Sequence, residues 1–253
     1  MKKNLVWISG GSTGIGRATT KKFISEGWDV AVTARNFEKL KKLKSEIENR
    51  NNLNKIYIFQ CDIKDIEQVK NTVKKIEEIG NIYLTILNAG TTHPYTKDFN
   101  IDYYNHVVET NISGTLNCIS AIYPFYNERK KGHLSIVSSM VGFRGLPTAS
   151  AYTMTKAALI NLAESLFFDF KKIGVKVSLI NPGFIKTPLT DKNNFPMPFL
   201  KSSEYAANKI FYGLTKKNNF EIIFPLPWFF IMKTLRILPY RLYFYLVSRF
   251  TGL

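Results

Sequence analysis

A chain of 253 residues with 45% hydrophobic side chains can bury one large core, and no linker-like stretch divides it, so a single domain over 1–253 is expected. The formal charge of +16 suits anionic lipid or phosphate ligands, but the lysines are spread through many segments without a nucleic-acid recognition motif, so nucleic acid is not expected as a partner. Cys61 and Cys118 are far apart, His93, His106 and His133 form no cluster, and no run is signal-like or membrane-spanning; no metal and a reduced, cytoplasmic setting are expected.

In chain order, residues 5–8 are a short apolar run of the kind a buried parallel strand needs. They lead into Ser9-Gly10-Gly11-Ser12-Thr13-Gly14-Ile15-Gly16, and residues 17–26 then read as a helix. Glycines here remove side chains where a backbone turns sharply and approaches a pyrophosphate, with the first helical amides facing it. The spacing is Gly-x-x-x-Gly-x-Gly instead of Gly-x-Gly-x-x-Gly, and alone it fits an ordinary strand-to-helix turn equally well. Further strands are expected at 29–33, 55–60, 82–87, 134–138, 175–180 and 220–224. Helices are expected at 37–49, 65–79, 101–126 and 151–172, the second with Ile66, Val69, Val73 and Ile76 at helical spacing. Such alternation predicts an α/β fold, a doubly wound parallel sheet in three layers, with ligands at the carboxyl ends of the strands.

The tail is unusual. From residue 222 onward there is no acidic side chain, and Lys233, Arg236, Arg241 and Arg249 sit among nine aromatics. Pro239 is expected to divide it into two short helices, with Lys233 and Arg236 on one face of the first and Arg241 and Arg249 nearly in line on the second. Apolar helices with a narrow basic stripe suit an anionic membrane surface. A subunit interface and a cover over a substrate pocket suit them as well.

Tyr152 and Lys156 are four apart and so project from one helical face. A neighbouring ammonium favours the phenolate and should lower the tyrosine's ordinary pKa of about 10, fitting it for proton transfer. In isolation the pair reads equally as a surface contact, Asn111 as a turn cap, and Ser138 competes with Ser139. The glycine turn, Asn88-Ala89-Gly90, Asn111, Ser139, Tyr152-x-x-x-Lys156 and Asn181-Pro182-Gly183 nevertheless occur in the order of the short-chain dehydrogenase/reductase family. The chain resembles that family from residue 4 to about residue 190, more weakly to 224. Ser9 stands where the family often has threonine, and Leu87 where an Asn-Asn-Ala-Gly motif would start.

The resemblance implies a Rossmann fold and a catalytic set of Asn111, Ser139, Tyr152 and Lys156. Tyr152 would be the general acid/base and Ser139 would steady the substrate oxygen. Lys156 would also bind the nicotinamide ribose, and Asn111 would hold a water. The cofactor would lie against Gly10, Ser12, Thr13, Gly14, Ile15 and Gly16, then Asp62 and Ile63 near the adenine, and Asn88, Ala89 and Gly90. Pro182, Gly183, Ile185 and Thr187 would meet the nicotinamide end. No acid stands at the end of the second strand; Arg35 offers a planar cation there and Ser12 a hydroxyl, so NADP(H) is expected ahead of NAD(H), although Arg35 also reads as a solvated loop residue. Thr13 replaces the basic residue of many NADP-dependent relatives.

Residues 188–215 correspond to the family's substrate region, with 188–207 as its loop. Phe195, Pro196, Met197, Pro198, Phe199 and Leu200 suit an apolar lid or simple packing. The expected function is NADP(H)-dependent interconversion of a carbonyl and an alcohol on a hydrophobic, lipid-like substrate. The alternative is a catalytically idle cofactor-binding protein that serves as an interaction or sensing module on a membrane. The resemblance also implies a homodimer or homotetramer, in the cytoplasm or peripheral on a membrane through residues 225–253.

Overall fold

The computed structural model describes residues 4–49, 54–92, 99–193, 195–217 and 219–252; Met1 to Lys3, His93 and Leu253 lie outside the described residues. The expected strands form as β1 (Leu5–Ser9), β2 (Asp29–Ala34), β3 (Ile56–Gln60), β4 (Ile82–Leu87), β5 (Gly132–Val137), β6 (Val175–Pro182) and β7 (Glu221–Phe224). They pair in parallel in the order β3-β2-β1-β4-β5-β6-β7. Val6, Trp7 and Ile8 are wholly buried in succession, because both faces of the sheet are covered.

The helices are α1 (Gly14–Ser25), α2 (Phe37–Glu48), α3 (Ile66–Ile79), α4 (Ile101–Val108), α5 (Gly114–Arg129), α6 (Ser150–Lys172), α7 (Ser203–Tyr212), α8 (Leu226–Ile237) and α9 (Tyr240–Thr251). One face of the sheet is covered through Phe23 of α1, Leu40 and Leu43 of α2, and Ile210 of α7. The other is covered through Val69 and Val73 of α3, Ile122 of α5 and Leu159 of α6. Asp65 caps α3 by accepting from the amides of Glu67 and Gln68, and Asn36 caps α2 by accepting from that of Lys39.

Two segments depart from expectation. The helix expected over 101–126 is interrupted by a π-helical turn, Glu109–Ser113, which inserts an extra residue at Asn111. Asn111 is fully buried there and bonds the Thr91 backbone both ways, accepting from its amide at 2.8 Å and donating to its carbonyl at 3.0 Å. In the expected substrate region, residues from Ser203 are helix, not loop. Ala206 and Ala207 are buried, and Phe211 of α7 meets Phe23 of α1 edge-on at 5.0 Å.

His133 on β5 is a testable part of this core. Its Nε2 lies 2.9 Å from Ser178 Oγ, and the Ser178 hydroxyl donates to the Asn219 carbonyl at 2.9 Å. Ser178 has one hydrogen to give, so Nε2 of His133 carries a hydrogen and donates it to Ser178 Oγ. Burial, then the Lys176 charge, lowers the His133 pKa from 6.5 to about 4. Between those values the unfolded chain takes up a proton that the folded chain refuses. Stability is therefore full above pH 6.5 and should fall by about 3 kcal/mol as the pH drops to 4. Thermal denaturation against pH checks this, and His133→Gln should flatten the slope. An unchanged slope in the variant would assign the acid sensitivity to another group.

Candidate active site

After β3 the chain crosses back to place β4 beside β1, and the carboxyl ends of those two central strands leave a crevice. Gly10 turns the backbone there with φ +65°, and a Cβ on it would stand 2.6 Å from Ala89 Cα. A Cβ on Gly16 would stand 2.4 Å from the Gly10 carbonyl oxygen. The turn is thus pressed onto the 88–90 segment by glycine alone. Ser9 Oγ accepts from the amides of Asn88 and Ala89 at 3.1 and 3.2 Å, and Asn88 Nδ2 donates to the carbonyls of Ser9 and Gly10 at 3.2 and 3.1 Å. Serine therefore serves where the family often has threonine. Thr13 precedes α1 without a side-chain cap, so the first amides of that helix face the crevice unclaimed by a side chain.

The crevice is a cleft of about 370 Å³. Gly10, Ser12, Thr13, Gly14 and Ile15 line its floor, and Asn88, Ala89 and Gly90 adjoin them. Arg35, Asp62 and Ile63 line one end; Ser139, Tyr152, Lys156, Pro182, Gly183, Ile185 and Thr187 line the rest. Gly16 and Asn111 are not on the wall. They support it from behind, Gly16 through the turn and Asn111 through Thr91.

Tyr152 and Lys156 come from the first two turns of α6, with Lys156 Nζ 5.5 Å from the centre of the Tyr152 ring. Lys156 is buried and donates to the Val137 carbonyl at 3.0 Å. The two serines after β5 separate cleanly. Ser138 Oγ donates to the Lys156 carbonyl at 2.7 Å, so it serves the α6 backbone. Ser139 Oγ donates to the Pro182 carbonyl at 3.2 Å and hydrogen-bonds the Tyr152 phenol. Asn111 donates to Thr155 Oγ1 at 3.0 Å, one residue before Lys156.

Burial dominates the electrostatics. It pushes the Tyr152 phenol up to about 12, with the Ser139 hydrogen bond working against the rise. Burial also brings Lys156 down to about 8. The shift of Tyr152 thus runs opposite to the lowering expected from Lys156, and its cause is the loss of water around the phenol.

Asn36, Lys39 and Thr190 also line the cleft and were not singled out from the sequence. Lys39 lies in the first turn of α2, beside Arg35, and a second cation just after that arginine was the available signal. Among the described residues neither Arg35 nor Lys39 pairs with a carboxylate. Thr190 donates to the Ile185 carbonyl at 2.7 Å and accepts from the Thr187 amide at 2.9 Å, which shapes the turn beside the catalytic end. The glycine cradle, the open helix start and the paired cations suit a dinucleotide bearing an extra phosphate.

Beyond the cleft, the loop after β6 is pinned by pairing of Ile185 with Lys201. The Phe184 ring stands 6.0 Å from Phe195 and 5.4 Å from Trp228, joining the loop to α8. Arg144, in the loop after Ser139, lies 4.4 Å from the rings of both Tyr240 and Tyr243 and donates to the Arg236 carbonyl at 3.3 Å. Tyr243 donates its hydroxyl hydrogen to the Gly145 carbonyl. Lys233 turns inward over Phe143 at 4.3 Å, so it does not share an outward stripe with Arg236.

Comparison with known proteins agrees with this geometry. The short chain dehydrogenase family profile matches residues 4–197. An uncharacterized oxidoreductase of Myxococcus xanthus is 32% identical over 240 residues, 93% of each chain. An uncharacterized oxidoreductase of Mycobacterium tuberculosis is 28% identical over 240 residues, 94% of each chain. Among solved structures, ElxO with NADP bound is 28% identical with a TM-score of 0.76, covering 87% of this chain and 97% of its own. A Burkholderia phymatum short chain dehydrogenase/reductase in complex with NAD, 19% identical, shares the fold with a TM-score of 0.82 over 91% of this chain and 92% of its own.

Proposed function

The chain belongs to the short-chain dehydrogenase/reductase family and is an NAD(P)-dependent oxidoreductase, and from that premise we propose that it uses NADP(H) to interconvert a carbonyl and an alcohol on a hydrophobic, lipid-like substrate. The observation that carries the reading is one cleft with Ser139, Tyr152 and Lys156 in one part and Arg35 and Lys39 in another. A bound nicotinamide would supply or accept the hydride. With its pKa near 12, Tyr152 stays protonated at neutral pH and gives its proton from Oη to the carbonyl oxygen during reduction. Ser139, turning its hydroxyl hydrogen from the Pro182 carbonyl, donates a hydrogen bond to the same oxygen as charge develops on it. Lys156, at about 8, is mostly cationic at neutral pH and steadies the phenolate left behind. It also holds the ribose hydroxyls, while Asn111 fixes the neighbouring turn and positions a water toward it.

Arg35 and Lys39 recognise the 2′-phosphate, and ElxO supports the preference as a relative with NADP bound. Phe195, Phe199 and Leu200, exposed on the loop after β6, supply the apolar substrate surface. The assembly is a homodimer or homotetramer, as is common in the family. The idle-module alternative draws no support from the curated relatives named above, which are oxidoreductases.

Side-by-side fluorescence titration with NADPH and NADH tests the reading, followed by a screen of hydrophobic ketones. Tighter NADPH binding and ketone-dependent NADPH oxidation are expected. Preference for NADH would overturn the cofactor assignment, and binding of neither would remove the enzyme reading.

A further inference from the structure

Helices α8 and α9 pack onto the domain through Met232, Tyr243 and Val247 and leave an apolar surface on the outside. On α8, Leu226, Phe230 and Ile237 are exposed at spacings of four and seven, so they share a face, with Ile231 beside them. Phe230 is 63% exposed, Ile237 81% and Phe250 83%. On α9, Arg241, Tyr245 and Arg249 are exposed four residues apart, flanked by Leu242 and Phe244. One exposed leucine needs no explanation; this many large apolar side chains on two consecutive helices do.

The charges indicate what covers them. Arg236, Arg241 and Arg249 are exposed, and residues 222–252 contain no aspartate or glutamate. We propose that α8 and α9 form a docking surface for an anionic lipid bilayer. The aromatic and aliphatic side chains enter the boundary between headgroups and acyl chains, and the guanidinium groups reach the lipid phosphates. A second copy of the chain suits this surface poorly. A two-fold interface sets a patch against itself, placing arginine on arginine without a carboxylate from either segment. Among the described residues no helix is long and apolar enough to cross a membrane, so the chain lies on the bilayer through this surface. The Phe195–Phe184–Trp228 ring series then sets the loop after β6 beside the lipid. The inference goes beyond the proposed reaction and does not depend on it.

Vesicle flotation of the full chain tests it, using phosphatidylcholine vesicles with and without phosphatidylglycerol. Partition onto the phosphatidylglycerol vesicles is expected, weakening with salt. Arg241→Gln with Arg249→Gln should weaken it by about 25-fold, at roughly fivefold per cation near an anionic surface. Phe230→Ser with Ile237→Ser should abolish it, and a melting temperature equal to the parent's would show that both variants fold. Absence of partition at low salt, equal binding to uncharged vesicles, or binding indifferent to all four substitutions would overturn the proposal. So would a concentration-dependent dimer that Phe230→Ser with Ile237→Ser dissociates while vesicles fail to bind, because the surface would then be a subunit interface.

Discussion

Tyr152→Phe should lower turnover by about 10²- to 10⁴-fold while NADPH binds as before, because it removes the proton donor and little else. The ring remains to pack, and Ser139 keeps its hydrogen bond to the Pro182 carbonyl at 3.2 Å. The melting temperature should therefore hardly move, which separates lost chemistry from lost folding. Near-normal rates with a confirmed substrate would sink the assignment. The pH profile is a second check on the same set. The working form of Lys156 is the protonated one, and burial has brought its pKa down to about 8. Reductive turnover should thus hold below that value and decline as the pH rises through it, well before the phenol itself, near 12, begins to ionise. A profile flat to pH 10 would mean that the Lys156 charge contributes nothing to proton transfer.

Much of the fold was legible because strands buried on both faces leave continuous apolar runs, such as Leu5 to Ile8, that periodicity finds readily. The misses share one cause, contacts between residues distant in sequence. The π-helical turn at Asn111 goes with hydrogen bonds to Thr91, twenty positions earlier, and local propensity carries no trace of that. Likewise, α7 meets α1 through the Phe211 and Phe23 rings, a pairing across most of the chain that local spacing does not announce. In the site, most of the side chains named from motif order line one cleft. Spacing could say that Tyr152 and Lys156 meet on one helical face; it could not say that both lose water, and that loss reverses the expected direction of the phenol's shift. Lys233 was misplaced for a similar reason. A helical face can be read from spacing, but the Phe143 and Phe229 rings that draw its ammonium inward belong to the packed structure.

Arg35→Gln combined with Lys39→Gln should weaken NADPH binding by about 100-fold, from the loss of two charge-assisted contacts worth roughly 1.5 kcal/mol each at an exposed site. NADH has no 2′-phosphate, so its affinity should stay within about twofold. The two cations differ in kind. Arg35 can hold a phosphate through two parallel N–H groups, whereas Lys39 acts as a point charge, so the single Arg35→Gln change should cost more than Lys39→Gln. Salt supplies an independent control: the NADPH advantage of the parent should shrink as ionic strength rises, and the double variant should have little left to lose. Arg35→Asp would go further, placing at the end of β2 a carboxylate that accepts ribose hydroxyls and repels the phosphate, and should reverse the preference toward NADH. Equal weakening of both cofactors in the double variant would show that these cations shape the cleft without reading the phosphate, and the preference would then have to come from Ser12 and the uncapped start of α1.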